Sequence, residues 1–386
     1  MAASEFGKRI GRAVRERIKR RKSSVLHEAL WHDPFMAAST RAIAQRIPLV
    51  DLIVHVTDAR IPLSSQCHLL RKYQTSSNQI IALNKADLAS RSALQVWMDY
   101  FSEMNCISCG VNAHNKDSIR QNFSCRQFLS LIQRQVGKLK RTDHANKFTA
   151  TVMLIGIPNV GKSALANALH QVGRISAAEK GKLKHATVSP EPGETKDIRS
   201  YKIASHPNIY VLDTPAVLSP KVPDIDVLSK LLLTGAIGDC LAERKETAQY
   251  FLAIHNSSGQ YKKWAKLSNK DSDWVFLNSA TECSTTSGLR MKQKNQIHTD
   301  HTQDDVVQVV RRTLYETVSS FEGNIRCEVE MEALIARQFT ALQEVFHVFT
   351  ESEEDAHVMV AGKLLNLFRT GRLGHYIFDN LPRNTH

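Results

Sequence analysis

The chain reads as an α/β protein: a mostly parallel, doubly wound sheet, with its motifs in circularly permuted order, followed by an α-helical C-terminal domain. Three observations predict this. Short apolar runs rich in β-branched residues alternate with amphipathic helical stretches over residues 31–222, the pattern of strands covered on both faces. One of those runs opens into the loop Gly156-Ile157-Pro158-Asn159-Val160-Gly161-Lys162-Ser163 and then a helix, the context that a phosphate-binding loop requires. From about residue 225 the apolar spacing is helical throughout.

Taken in order, residues 1–24 carry nine basic side chains (Lys8, Arg9, Arg12, Arg15, Arg17, Lys19, Arg20, Arg21, Lys22) against Glu5 and Glu16. Phe6, Ile10, Val14 and Ile18 fall on one helical stripe. Such an Arg-rich amphipathic helix fits a mitochondrial presequence, although presequences avoid acids; an RNA-binding arm and a nuclear signal stay open, as does peripheral contact with a membrane surface. Leu49 to Thr57 is a buried strand that runs into the Pro-marked loop Asp58-Ala59-Arg60-Ile61-Pro62. Gln79 to Leu83 is a second, ending in Asn84-Lys85-Ala86-Asp87. A third centres on Cys106 to Cys109, Ser118 to Leu139 is a helix, and residues 137–147 form a basic polar linker. Thr149 to Ile155 is the strand before the phosphate loop, with a helix from about Ser163. Residues 174–196 lack periodicity and read as a loop. Tyr201 to Ala204 and Asn208 to Leu212 make a hairpin that ends in Asp213-Thr214-Pro215-Ala216. The division is therefore 31–222 for the sheet domain and 225–386 for the helical one. Residues 256–305, polar and rich in Ser, Thr, Lys and Asn, read as a disordered insertion.

The chemistry lies at the strand ends. Gly156 and Gly161 let the backbone wrap a phosphate, and the N–H groups of Asn159, Val160, Gly161, Lys162, Ser163 and Ala164, at a helix N-terminus, hold its charge. Lys162 would bridge β and γ oxygens, and the Ser163 hydroxyl would bind Mg²⁺. Asp87 can accept from both guanine N1–H and the exocyclic amine, which selects GTP over ATP. Lys85 can lie along the base, and Asn84 can tie this loop to the phosphate loop. Asp213 reads as the Mg²⁺ and γ-phosphate sensor, reaching the metal through water. Thr195, in Pro192-Gly193-Glu194-Thr195, supplies the second Mg²⁺ hydroxyl beside Gly193. Two features make hydrolysis the open step. Ala216 stands where Gly usually exposes its N–H to the γ-phosphate, and Val217 where a water-positioning Gln is expected. Asn159 suggests a bound K⁺ in place of an arginine finger, or is a structural choice; His32 could orient water or be structural.

Composition sets further bounds. No run approaches the roughly 18 apolar residues of a membrane span. Seven scattered cysteines form no paired framework and suggest a reducing compartment, and Cys106-Ile107-Ser108-Cys109 has no partner motif to complete a zinc site. The net charge of +13 is uneven: the first 224 residues hold 33 Lys/Arg against 17 Asp/Glu, and the remainder 18 against 21. A basic arm and sheet domain favour nucleic acid, RNA foremost, as a partner.

Ordinarily the phosphate loop precedes the guanine motif; here Asn84-Lys85-Ala86-Asp87 comes first, then the phosphate loop, Pro192-Gly193-Glu194-Thr195 and Asp213-Thr214-Pro215. This order resembles the circularly permuted GTPases of the YlqF type, also called DAR GTPases after Asp58-Ala59-Arg60. Residues 368–374 (Phe-Arg-Thr-Gly-Arg-Leu-Gly) look like the family's closing segment. The resemblance implies a permuted P-loop GTPase domain that binds GTP with Mg²⁺. It also implies a role in ribosome biogenesis, on the large subunit during late assembly, with the helical domain on rRNA. With the Arg-rich leader it is most similar to the mitochondrial branch, which places the chain in the matrix; a nucleolar or cytosolic assembly GTPase is the alternative. Three departures stand out. Ala216 replaces Gly, and Phe35 takes the place of the His implicated in hydrolysis, with His32 offset. The base-contacting loop is assigned by position to Ser108-Cys109-Gly110-Val111-Asn112, with Ser108, Cys109 and Gly110 as its contact residues. Together the first two leave a second reading, a hydrolysis-impaired, GTP-dependent scaffold.

Overall fold

A computed structural model describes residues 2–20, 34–73, 78–114, 123–142, 149–176, 197–268, 301–350 and 352–382. The chain divides into two compact units. One comprises Gly7–Glu243 with His375–His386; the other comprises Met1–Phe6 with Arg244–Gly374. The boundary thus falls after Glu243 rather than near residue 225, and the last dozen residues return to the first unit.

The first unit is built on one six-stranded sheet: β1 (Leu52–Asp58), β2 (Gln79–Asn84), β3 (Ile107–Val111), β4 (Thr149–Ile155), β5 (Arg199–Ser205) and β6 (Asn208–Asp213), in spatial order β3-β2-β1-β4-β6-β5. Every neighbouring pair is parallel except β5 with β6. β1 begins at Leu52 and not Leu49 because Ile47–Leu49 forms a 3₁₀ turn with Pro48 in its first turn. All seven β1 side chains are buried, as helices covering both faces require. The centre of the sheet explains the site's location. From β1 the chain moves outward one way to β2 and β3, and from β4 the other way to β6 and β5. The switch of direction therefore lies between β1 and β4, whose register pairs His55 with Ile155. Crevices at such a switch, beyond the carboxyl ends of the strands, are where open α/β sheets bind ligands. Asp58 ends one of these strands and the phosphate loop follows the other.

Helix α2 (Pro34–Arg46) precedes β1, and α3 (Arg91–Glu103), α4 (Phe123–Thr142) and α5 (Lys162–Ser176) connect or follow the strands. Residues 115–122 are outside the described residues, so α4 begins at Phe123 where the sequence suggests Ser118. In α1 (Ala2–Arg20) the predicted stripe is buried: Ile10, Val14 and Ile18 are at most 4% exposed. Gly11 allows α1 to approach the start of α6 (Ile225–Leu233): a Cβ there would lie 2.2 Å from the Ile225 carbonyl oxygen. Arg15 also donates to the Pro223 carbonyl at 2.9 Å.

In the second unit, α7 (Arg244–Ser258) packs on helix Glu353–Arg369, with Phe251 and Phe368 ring centroids 4.5 Å apart. The buried amides of Asn256 and Gln338, the latter on helix Glu328–Val345, exchange two hydrogen bonds of 2.9 and 3.0 Å. His255 stacks on Trp264 at 4.9 Å. The insertion expected over 256–305 is in part ordered. α7 runs to Ser258, Gln260–Trp264 and Ala265–Ser268 are helical, and helix Asp304–Ser319 begins inside it; residues 269–300 are outside the described residues. Trp264 supplies the reason, since its ring gives the segment an aromatic partner to pack on. Among the described residues, no helix is long and apolar enough to cross a membrane.

Candidate guanine-nucleotide site

Two strand ends meet here through Asn84. Fully buried at the end of β2, its side-chain amide donates to the Val160 carbonyl in the phosphate loop at 2.8 Å, and its Oδ1 accepts from the Ala113 N–H at 3.1 Å. One side chain thereby joins three loops. Lys85 follows with φ +59°, and its ammonium lies 3.0 Å from Asp58 Oδ2. Asp87 stands exposed at the rim, with its carboxylate free to meet a base edge.

The phosphate loop has the backbone that its glycines permit. Gly161 holds φ +90°, and a Cβ there would fall 2.3 Å from Asn84 Nδ2; at Gly156 a Cβ would fall 2.4 Å from the Val56 carbonyl. Both positions exclude a side chain because another part of the site occupies its space. Lys162, 6% exposed, donates to the Ile157 carbonyl at 2.8 Å. Burial brings its ammonium down to about 8, against the opposing pull of Asp213.

Asp213 ends β6 with no exposed surface, and both carboxylate oxygens are buried without a good hydrogen-bond partner. Burial pushes its carboxyl up, with Ser163, Lys162 and Arg199 acting in the other direction. A buried carboxylate left short of donors beside a hydroxyl is a hard-oxygen pair suited to Mg²⁺, so Ser163 and Asp213 fit that ion. Thr214 is turned inward, its hydroxyl donating to the Leu154 carbonyl at 2.6 Å, and the Val217 N–H reaches the Gly156 carbonyl at 3.3 Å. Val217 itself lies in the apolar cluster with Ile53, Met153 and Ile155, so its side chain takes no part in placing water. Ala216 is half-buried beside it. Asn159, at φ +54°, donates from its amide to the Gly235 carbonyl at 2.8 Å. Thr195, Gly193 and His32 lie outside the described residues.

Of the loop assigned to the base, residues 108–111 belong to β3 and Asn112 lies beyond it. Ser108, Cys109 and Gly110 are inside β3, paired with Ile81, Ala82 and Leu83. The segment beside the guanine motif is Asn112-Ala113-His114, where Asn112 Oδ1 accepts from the His114 N–H at 3.0 Å. An Asx turn after an apolar strand was the available signal. A further residue unflagged in sequence is Asp379. It accepts from the N–H groups of Leu63 and Ser64, both at 2.8 Å, and pairs with Lys230 at 3.2 Å.

A mostly parallel sheet with a phosphate loop at its switch point, a guanine motif tied to that loop and a buried Asp beside it define a P-loop guanine-nucleotide-binding protein of permuted chain order. The comparisons agree. A family described as 50S ribosome-binding GTPase matches residues 151–275. The chain is 52% identical to DAR GTPase 2, mitochondrial, of Arabidopsis thaliana, over 91% of this chain and 90% of that one. It is 40% identical to Short integuments 2, mitochondrial, of the same plant, over 91% and 89%. It is 31% identical to Ribosome biogenesis GTPase A of Priestia megaterium, over 59% and 74%. The chain belongs to the DAR GTPases and is a GTP-binding, GTP-hydrolysing enzyme.

Proposed function

We propose that this GTPase acts in assembly of the large ribosomal subunit in the mitochondrial matrix, as a checkpoint that engages the particle, and its rRNA, in the GTP state. The relatives' names support the organelle and the ribosome, and the basic N-terminal arm and sheet unit suit an RNA-rich partner. The observation that carries the reading is Asn84, whose three-way tie places the guanine motif over the phosphate loop. Mg²⁺ would be held by Ser163 and Asp213, with Thr195 as the second hydroxyl, and would neutralise phosphate charge. Lys162 would turn from the Ile157 carbonyl to phosphate oxygens, and the N–H groups from Asn159 to Ala164 would line them. K⁺ would sit at Asn159, whose amide N–H donates to the Gly235 carbonyl.

Lys162→Ala should abolish GTP binding. Sedimentation of tagged protein in mitochondrial extract tests the rest: co-migration with a large-subunit precursor under a GTP analogue but not under GDP supports the checkpoint. Indifference to particles and rRNA overturns it.

A second reading, in which hydrolysis is held back and the chain serves mainly as a GTP-dependent scaffold, is favoured by Val217. Its side chain lies in an apolar cluster, where it does not orient water. Single-turnover hydrolysis in K⁺ and in Na⁺, with and without particles, separates the two. Turnover that K⁺ or particles accelerate supports the checkpoint, and turnover insensitive to both supports the scaffold.

A further inference from the structure

The Asp-Ala-Arg triplet itself is unexplained by the nucleotide chemistry above, yet its two charged residues are among the most buried in the chain. Asp58 is 1% exposed and Arg60 2%. Asp58 Oδ1 accepts from the Arg60 backbone N–H and from Arg60 Nε, both at 3.0 Å, and Oδ2 accepts from Arg60 Nη2 at 2.8 Å. The same Oδ2 lies 3.0 Å from Lys85 Nζ. One carboxylate therefore serves two cations. Burial alone would push its pKa up, but Arg60 and Lys85 hold the carboxyl well below the usual carboxylate range.

Each cation leads somewhere. Lys85 belongs to the guanine motif and sits in the left-handed backbone region, a conformation that non-glycine residues keep only where the surroundings hold them. Asp58 is what holds its ammonium. Arg60 Nη2 also donates to the Thr234 carbonyl at 3.1 Å, the residue that ends α6. The next carbonyl along, Gly235, is taken by Asn159 of the phosphate loop. The end of the helix that follows the sensor is thus gripped by two arms. One arm reaches back to the phosphate side of the site and the other, through Asp58, to the base side.

We propose that Asp58 is a positioning residue that links guanine recognition to α6: it fixes Lys85 for the base and, through Arg60, the carboxyl end of the helix after the sensor. This inference rests on the guanine-nucleotide reading. An occupied base pocket holds Lys85, hence Asp58 and Arg60, and so steadies Thr234. A purely structural role for the triplet predicts instead that α6 is indifferent to nucleotide.

The test compares wild type, Asp58→Asn and Lys85→Met of the full chain, by titration with a fluorescent GDP and by hydrogen exchange of residues 225–237 with and without saturating GDP. Wild type should gain protection in that segment on adding GDP. Asp58→Asn keeps an acceptor for Arg60 but loses the charge that holds Lys85. It should bind GDP on the order of ten- to a hundredfold more weakly, the range for a lost charged hydrogen bond, and lose the protection even at saturation. Lys85→Met, which leaves the Asp58–Arg60 pair intact, should lose the protection as well, and it answers the question if Asp58→Asn does not fold. GDP-dependent protection that survives in Lys85→Met, or wild-type affinity in a folded Asp58→Asn, overturns the proposal. Absence of guanine-nucleotide binding by wild type overturns the site reading beneath it.

Discussion

Gly161→Ala isolates the contact on which the site depends. At φ +90° a side chain is strained wherever it is placed, at a cost of about 1–3 kcal/mol. The new Cβ would also sit 2.3 Å from Asn84 Nδ2, far inside contact distance, so the amide has to swing away. Its 2.8 Å bond to the Val160 carbonyl is then lost, and a buried amide without its partner costs about 1–3 kcal/mol more. The total, on the order of 2–6 kcal/mol, divides between two observables. The strain lowers the melting temperature by several degrees. The displaced Asn84 loosens the guanine motif from the phosphate loop and weakens GDP binding at least tenfold. A fluorescence titration with labelled GDP and a thermal melt read both. The control is Gly137→Ala in α4, where nothing lies within 4 Å of the added Cβ and a helix interior favours Ala by up to about 1 kcal/mol. That variant should be neutral or slightly stabilised and bind normally. Wild-type affinity and melting in Gly161→Ala would refute the three-loop tie as the element that assembles the site.

Other outcomes follow from buried groups. His55, whose Nε2 accepts from the Cys67 N–H at 2.9 Å, is driven by burial down to about 4, and His255 to about 3. The unfolded chain takes up these protons near pH 6.5 and the native one does not. The histidines' contribution to stability is therefore complete above 6.5 and falls as pH drops from 6.5 toward 4, and His55→Gln should flatten part of that slope in urea titrations. Lys162 behaves in the same sense at the other end: with its native value near 8, the nucleotide-free protein should gain stability as pH rises from 8 to 10.5. In the helical unit, Asn256→Ala strands the buried Gln338 amide and should lower stability by about 1–3 kcal/mol; the double variant Asn256→Leu, Gln338→Leu should recover much of it. Gly11→Val places a side chain into the Ile225 carbonyl, so α1 should detach and its amides exchange faster, with nucleotide affinity little changed. If exchange in residues 7–20 is unaltered, α1 does not dock through that face.

What the sequence makes legible is whatever is local. The phosphate loop, the guanine motif and β4 can be read because a strand, a loop and a helix follow one another within a few residues, and β4 has the bounds expected of it. The guanine motif ends β2 and the phosphate loop follows β4, with β1 between these two strands in the sheet. Residues 108–110 are misplaced because periodicity marks a strand better than its last residue. The ladder, which pairs Asn84 with Val111, carries β3 two residues past Cys109, and only Asn112 of the assigned loop lies beyond the strand.

What stays hidden depends on partners far along the chain. Asp58 and Arg60 look like the charged ends of a loop until the Thr234 carbonyl, 174 residues on, is beside them. Asp379 looks like part of a polar tail until it is found capping the N–H groups of Leu63 and Ser64, more than 300 residues back. These long contacts also say why the permuted order matters. With the chain entering at β1 and leaving after β6, the segment from Thr214 to Gly235 is fixed at one end by the sensor and at the other by Arg60 and Asn159. Here the sensor is followed by a helix whose far end is held by both halves of the nucleotide site, so phosphate and base act on one element from opposite sides.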